Sequence, residues 1–230
     1  FVYADGFEYP GLGPNDQWQF ETVTNTQAVR WHFSDKRASS DKKSLAFSNP
    51  GKGTYAYKNK LVKGYATSRV IKLPSDTITL LEFDLWLETE AYLGSNKIDV
   101  LVIEVIDQYG IPHSVWDSTD GAQGHTNGVF KRFSVALGEF EGQSVRLRFM
   151  FNTGDGSANN FEGPYLDNLN MRTVCCSEPS DCADADPCTV ELCTDNACDQ
   201  LAICVDGCAV ESPQLLFVLD GSAGMLEDAA

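Results

Sequence analysis

Between Thr77 and Glu88 the side chains alternate: Leu81, Phe83, Leu85 and Leu87 fall on one face, Glu82, Asp84, Trp86 and Glu88 on the other. A period of two predicts a strand with one face buried. Gln143 to Phe151 repeats the pattern, with Val145, Leu147, Phe149 and Phe151 inward and Arg146 and Arg148 outward. Ile98 to Ile106 is apolar on both faces, which predicts a central strand. Shorter runs predict strands at 18–22, 29–33, 44–48, 54–57, 66–73, 129–135 and 165–171. Turn-forming clusters separate them, such as Asn49-Pro50-Gly51, Asp120-Gly121 and the stretch from Asn152 to Asn160. No segment carries a helical period. Many short strands with such punctuation predict an all-β fold. For residues 1–174 the expectation is a jelly-roll β-sandwich of two packed sheets.

Composition agrees with one full domain plus smaller pieces. The chain has 230 residues and is 43% hydrophobic, enough for a real core. It has no apolar run of about 18 residues, so no membrane span is expected. Residue 1 is Phe, and no signal-like segment precedes it, so a processed product or a fragment is expected. Charge is uneven. Residues 1–174 carry 17 basic and 21 acidic side chains, whereas 175–230 carry 12 acidic and none basic. Neither part is equipped to neutralise phosphates, which argues against nucleic acid as a partner. An acidic, base-free tail suits a cation-rich external medium.

The cysteines mark the same boundary. Cys175, Cys176, Cys182, Cys188, Cys193, Cys198, Cys204 and Cys208 all lie within 34 residues. No Cys-x₂-Cys pair and no histidine occurs among them, so the spacing favours disulfides over zinc. All eight are expected to be oxidised, with the pairing open. Such bridges persist outside a reducing cytosol, which predicts an exported protein. The segment 175–212 is then a disulfide-stapled connector.

Three groups of residues resemble known families. Ser44-Leu45-Ala46-Phe47-Ser48-Asn49, Gly53-Thr54-Tyr55, Gly64-Tyr65-Ala66-Thr67-Ser68 and Phe83-Asp84-Leu85-Trp86-Leu87-Glu88 stand in order. They are followed by Val145 to Asp155 and by Asn159-Asn160-Phe161-Glu162-Gly163-Pro164-Tyr165-Leu166-Asp167-Asn168. This series resembles the MAM-like, concanavalin-type jelly-roll modules of large bacterial surface proteins and secreted proteases. It departs from them in Asn168, where a second Asp is usual, and in Pro164, where an aromatic is common. The spacing of Cys176, Cys182, Cys188, Cys193 and Cys198 resembles one Asp-rich disulfide repeat of bacterial surface proteins. Gln214 to Leu219, followed by Asp220-Gly221-Ser222-Ala223-Gly224, resembles the first strand and metal-binding loop of a von Willebrand factor A domain. That resemblance implies that 213–230 begin a further domain, with Asp220 and Ser222 as metal ligands only when it is complete.

Enzyme signatures are missing. His32, His113 and His125 stand in no His-Glu-x-x-His motif, and no Gly-x-Ser-x-Gly or phosphate-cradling loop occurs. The expectation is a non-catalytic adhesion or interaction module, extracellular or on a bacterial cell surface, whose partner is a surface protein or a glycan. The alternative is an accessory, carbohydrate-binding module of a secreted hydrolase. Trp86, Tyr55 and Tyr57 are the candidate sugar-stacking aromatics. A structural calcium is the candidate cofactor, with Asp155, Asn159, Glu162 and Asp167 as oxygen donors. Asp167 is placed on the inward face with Tyr165, Leu169 and Met171, where a carboxylate needs a partner or a cation. Glu90 and Asp99 flank another loop, and the MAM-like resemblance implies that these positions knit the end loops together. The same residues also suit a hydrogen-bonded turn network.

Overall fold

The computed structural model describes residues 2–8, 18–24, 27–75, 77–93, 99–122, 124–176, 178–183, 189–194 and 197–202. Fourteen strands occur among them. They are β1 (Tyr3–Asp5), β2 (Trp18–Thr22), β3 (Arg30–Ser34), β4 (Ser44–Ser48), β5 (Lys63–Ser68), β6 (Ile71–Lys72) and β7 (Ile78–Glu88). Then follow β8 (Val100–Ile106), β9 (Pro112–Asp117), β10 (Lys131–Ala136), β11 (Ser144–Asn152), β12 (Gly163–Val174), β13 (Thr189–Thr194) and β14 (Ala197–Ala202). The expected all-β sandwich is present. One sheet runs β10-β7-β12-β4-β3, with β1 also on β12; the other runs β2-β5-β11-β8-β9, with β6 also on β11. All pairings are antiparallel. No described helix is long and apolar enough to cross a membrane.

The alternation read from the sequence builds the core. Leu81, Phe83, Leu85 and Leu87 of β7 meet Leu147, Phe149 and Phe151 of β11 and Leu101, Ile103 and Val105 of β8 in one cluster of buried side chains. Trp31 is its largest fully buried side chain; its indole N–H donates to the Gly64 carbonyl at 3.1 Å, which ties β3 to the opposite sheet. The expected strand at 54–57 is a loop, because Tyr55 pairs its N–H with Phe161 and not with a strand.

β12 departs from the simple period. Asp167 lies opposite Asp84 but Asn170 lies opposite Glu82, so β12 has one extra residue there. Asn168, with φ of 48°, forms the bulge. The bulge switches faces: Leu166 is inward before it, Leu169 and Met171 after it. Asp167 therefore shares the outer face with Tyr165, Asp84 and Trp86, contrary to the inward placement expected from unbroken alternation. It is buried all the same, because residues 35–43 between β3 and β4 fold over that face.

Beyond Val174 the chain forms a β13–β14 hairpin in which Cys193 faces Cys198. Disulfides Cys176–Cys193 and Cys182–Cys198 pin both strands of the hairpin to the preceding segment. The sulfurs of Cys176, Cys182 and Cys198 lie within 4.8 Å of one another, and the two bridges account for that cluster without a metal. Among the described residues Cys175 has no disulfide partner and is exposed, against the expectation that every cysteine is bridged. At the end of β12 alternation turns Cys176 inward, toward its partner, and Cys175 out to solvent. Cys188, Cys204 and Cys208 lie outside the described residues, as does the whole of 213–230 with Asp220 and Ser222.

Candidate functional site

The expected site residues separate into three places. Trp86 points away from the core, as the pattern predicts, yet it is only 3% exposed. Its ring packs edge-on against Tyr165, and the Arg37 guanidinium lies over it at 4.0 Å. Arg37 is held there by two hydrogen bonds to Glu162, at 2.7 and 3.1 Å, and Lys36 pairs with the same carboxylate at 3.1 Å. These cations hold the Glu162 carboxyl below its ordinary pKa, against the opposing effect of burial. Trp86 is thus already stacked on a cation and offers no open ring to a sugar. Replacing Arg37 with alanine is expected to lower stability by about 1 kcal/mol, as a partly exposed cation–π contact and ion pair are lost. It should also raise acrylamide quenching of tryptophan fluorescence, because Trp86 loses its cover.

Asp167 belongs to the same outer face. One oxygen accepts from the Ser39 and Ser40 N–H groups at 2.7 and 3.0 Å, the other from the Asn168 N–H at 2.7 Å. Neighbouring Asp84 takes hydrogen bonds from Arg132, Ser39 and Asn168. The hydrogen-bonded network gives both carboxylates protein partners, and Glu162 is likewise committed to Arg37 and Lys36.

Asp155, Asn159 and Tyr57 do come together, at one end of the sandwich. The 54–62 loop and the β11–β12 connection approach each other and enclose an open cleft of about 570 Å³. Tyr57, Lys58, Asn59, Asp155, Ser157 and Asn160 are among its lining. Gly156 permits the approach: a Cβ there would lie 2.2 Å from the Asn59 carbonyl oxygen. Both walls carry backbone in the left-handed region at residues other than glycine: Lys58 (φ 48°), Asn59 (φ 51°) and Ala158 (φ 50°). Such conformations persist only where their surroundings enforce them, and they concentrate at ligand sites. Among the described residues the lining holds one aromatic ring, amides, a hydroxyl, one amine and one carboxylate, with no imidazole or thiol.

Against these cleft residues stands a buried acidic group that the sequence marks only as loop-flanking positions. Glu90, in the turn after β7, is 4% exposed and Asp99, just before β8, 1%. Burial raises the Glu90 carboxyl above its ordinary pKa, with the Asp155 charge adding to the effect. Burial, with the Glu90 and Asp155 charges, pushes Asp99 up to about 6, although the hydrogen bond from Tyr55 opposes this. That bond, Tyr55 hydroxyl to Asp99 Oδ2, measures 2.5 Å. Tyr55 is fully buried, so it serves this group and not a sugar.

No protein-family model matches the sequence, and no curated protein matches it. Solved structures of similar strand arrangement include TmCBM61 in complex with β-1,4-galactotriose, 12% identical, covering 68% of this chain and 88% of that one with a TM-score of 0.43. The CBM22-1 xylan-binding domain of Xyn10C from Paenibacillus barcinonensis is 15% identical over 74% of this chain and 92% of its own, TM-score 0.41. The K1 cleaved adhesin domain of Lys-gingipain from Porphyromonas gingivalis W83 is 9% identical over 75% and 98%, TM-score 0.48. Likeness at this level concerns β-sandwich architecture and carries nothing about ligands. The MAM-like resemblance stays one of motif.

Proposed function

We propose that this chain is a non-catalytic binding module of an exported protein, and that the cleft around Tyr57 takes a glycan of a cell or polymer surface. The observation that carries the reading is the cleft itself: a half-buried aromatic ring set among amide, hydroxyl and carboxylate groups, with strained backbone on both walls. A ring that stacks on a sugar's C–H face beside groups that pair with its hydroxyls is the chemistry of saccharide recognition. Hydrolysis of a glycosidic bond needs two carboxylates flanking it, and among the described residues Asp155 is the only carboxylate in this lining. The disulfides Cys176–Cys193 and Cys182–Cys198 support an oxidising, extracellular setting. An adhesion role follows if the glycan sits on a cell, an accessory role in a secreted hydrolase if it sits on a polymer.

A printed glycan array probed with the full chain tests this, followed by calorimetry with the best-bound oligosaccharide. Binding is expected, and Tyr57→Ala should weaken it at least tenfold, the equivalent of about 1.4 kcal/mol. No binding by the parent, or equal binding by parent and Tyr57→Ala, overturns the proposal.

A further inference from the structure

Three buried oxygens near the cleft make no hydrogen bond: Oε1 of Glu90, Oδ1 of Asp99 and Oδ1 of Asn159. Each side chain is at least nine-tenths buried. The oxygens come from three separate stretches: the turn after β7, the residue before β8 and the β11–β12 connection. Asn159 is tied to Asp155 by its amide N–H, which donates to the Asp155 carbonyl at 3.2 Å. Asp155 in turn lies close enough to Glu90 and Asp99 for its charge to act on both. Among the described residues no lysine, arginine or histidine forms an ion pair with Glu90, Asp99 or Asp155. Lys58, the cation of the cleft, lies over the Tyr57 ring instead.

Buried acceptors without donors are expensive. A proton on one carboxyl relieves one of them and leaves the rest. The Asn159 oxygen is the decisive member, because an amide does not take up a proton at neutral pH to relieve itself. Buried acceptor oxygens left over after the donors at hand, such as the Tyr55 hydroxyl, are spent set the condition that a cation satisfies. The set is all oxygen, acidic and drawn from separate loops. It suits calcium, which accepts six to eight oxygens in adaptable geometry, better than magnesium, which demands a near-ideal octahedron and keeps its waters.

We propose that Glu90, Asp99 and Asn159, with Asp155, bind a calcium ion that fastens the β7–β8 and β11–β12 connections together beside the cleft. The three carboxylates do not all lie within 4.8 Å of one another, so binding contracts the group by removing repulsion between like charges. The site shares Asp155 and Asn159 with the cleft wall, yet its test needs no glycan and stands or falls separately from the glycan reading.

The full chain, stripped with chelator and dialysed, is titrated with calcium while its melting temperature is followed. A rise of about 5–10 °C is expected at a hundredfold excess over Kd. Terbium supplies a second readout: Tyr55 touches Asp99, so excitation of tyrosine should sensitise terbium luminescence, and calcium should quench it by displacement. Asp99→Asn keeps the size of the side chain and removes a buried charge, so the variant should fold with an unchanged or higher melting temperature in chelator. It should lose the calcium-dependent rise and most of the luminescence, and Asn159→Ala should weaken calcium at least tenfold. A parent unmoved by calcium and dark with terbium overturns the proposal. A rise that survives in Asp99→Asn/Glu90→Gln does so too, and an equal rise with magnesium alone overturns the choice of calcium.

Discussion

Replacing Asp167 with alanine is expected to lower the melting temperature by about 10 °C, and chelator should leave that loss unchanged. The carboxylate is fully buried and accepts three backbone N–H groups, from Ser39, Ser40 and Asn168. Removing it strands three donors beneath the 35–43 segment, at about 1–3 kcal/mol each when no water reaches them. The segment lies at the surface, so water recovers part of this, and a net loss of about 4 kcal/mol remains. At about 2–4 °C per kcal/mol for a domain of this size, the shift is about 10 °C. Asp167→Asn retains one acceptor oxygen and should lose less than half as much. The segment that Asp167 anchors also brings Arg37 over Trp86, so Asp167→Ala should expose Trp86 to acrylamide as Arg37→Ala does. Thermal melts with and without chelator decide the matter. A loss that disappears once chelator is added to both proteins would mean that Asp167 holds an ion after all.

Asp167 also shows where the sequence could be read and where it could not. Period-two alternation locates β7 and β11 to within a residue or two, because each alternates into the core, and short runs between turn clusters locate β2 and β4 with the observed bounds. It misses β1, only three residues long, and β9, which begins at Pro112 and is irregularly registered on β8 between Ile103 and Glu104. Alternation is blind to a bulge, since one extra residue reverses every side chain after it. Hence Asp167 is read inward when it faces out. Trp86 fails differently: its direction is read correctly, but direction away from the core is not exposure once another segment lies over the face. A charged, serine-containing stretch such as 35–43 gives no period from which that cover could be read. Of the candidate calcium ligands, Asp155 and Asn159 lie together on the cleft wall, while Glu162 and Asp167 have protein partners. Glu90 and Asp99 are visible in the sequence only as acids beside a loop. That their oxygens are buried without donors is a property of packing, and no residue spacing encodes it.

The cleft depends on Gly156 for a reason of the same kind. Its ideal Cβ would lie 2.2 Å from the Asn59 oxygen, 2.4 Å from the Asn59 carbonyl carbon and 2.7 Å from the Lys60 nitrogen. All three are backbone atoms, so no side chain can turn aside to make room. Gly156→Ala must therefore push the 54–62 loop and the β11–β12 connection apart by about an ångström or more. The sheets and their core are untouched, so the loss of stability should stay at about 1–3 kcal/mol, the usual range for overpacking. Recognition should suffer far more. Tyr57, Lys58 and Asn59 stand on one wall, Asp155, Ser157 and Asn160 on the other, and a saccharide held between them needs both at once. Glycan affinity is expected to fall by about a hundredfold, well beyond the effect of Tyr57→Ala, with far-ultraviolet circular dichroism unchanged. Asp155 and Asn159 shift with the same wall, so calcium affinity should fall in parallel. Calorimetry on the folded variant gives both constants. Full glycan affinity in Gly156→Ala would show that the sugar binds elsewhere on the sandwich, since no ligand that spans the two walls could be indifferent to their separation.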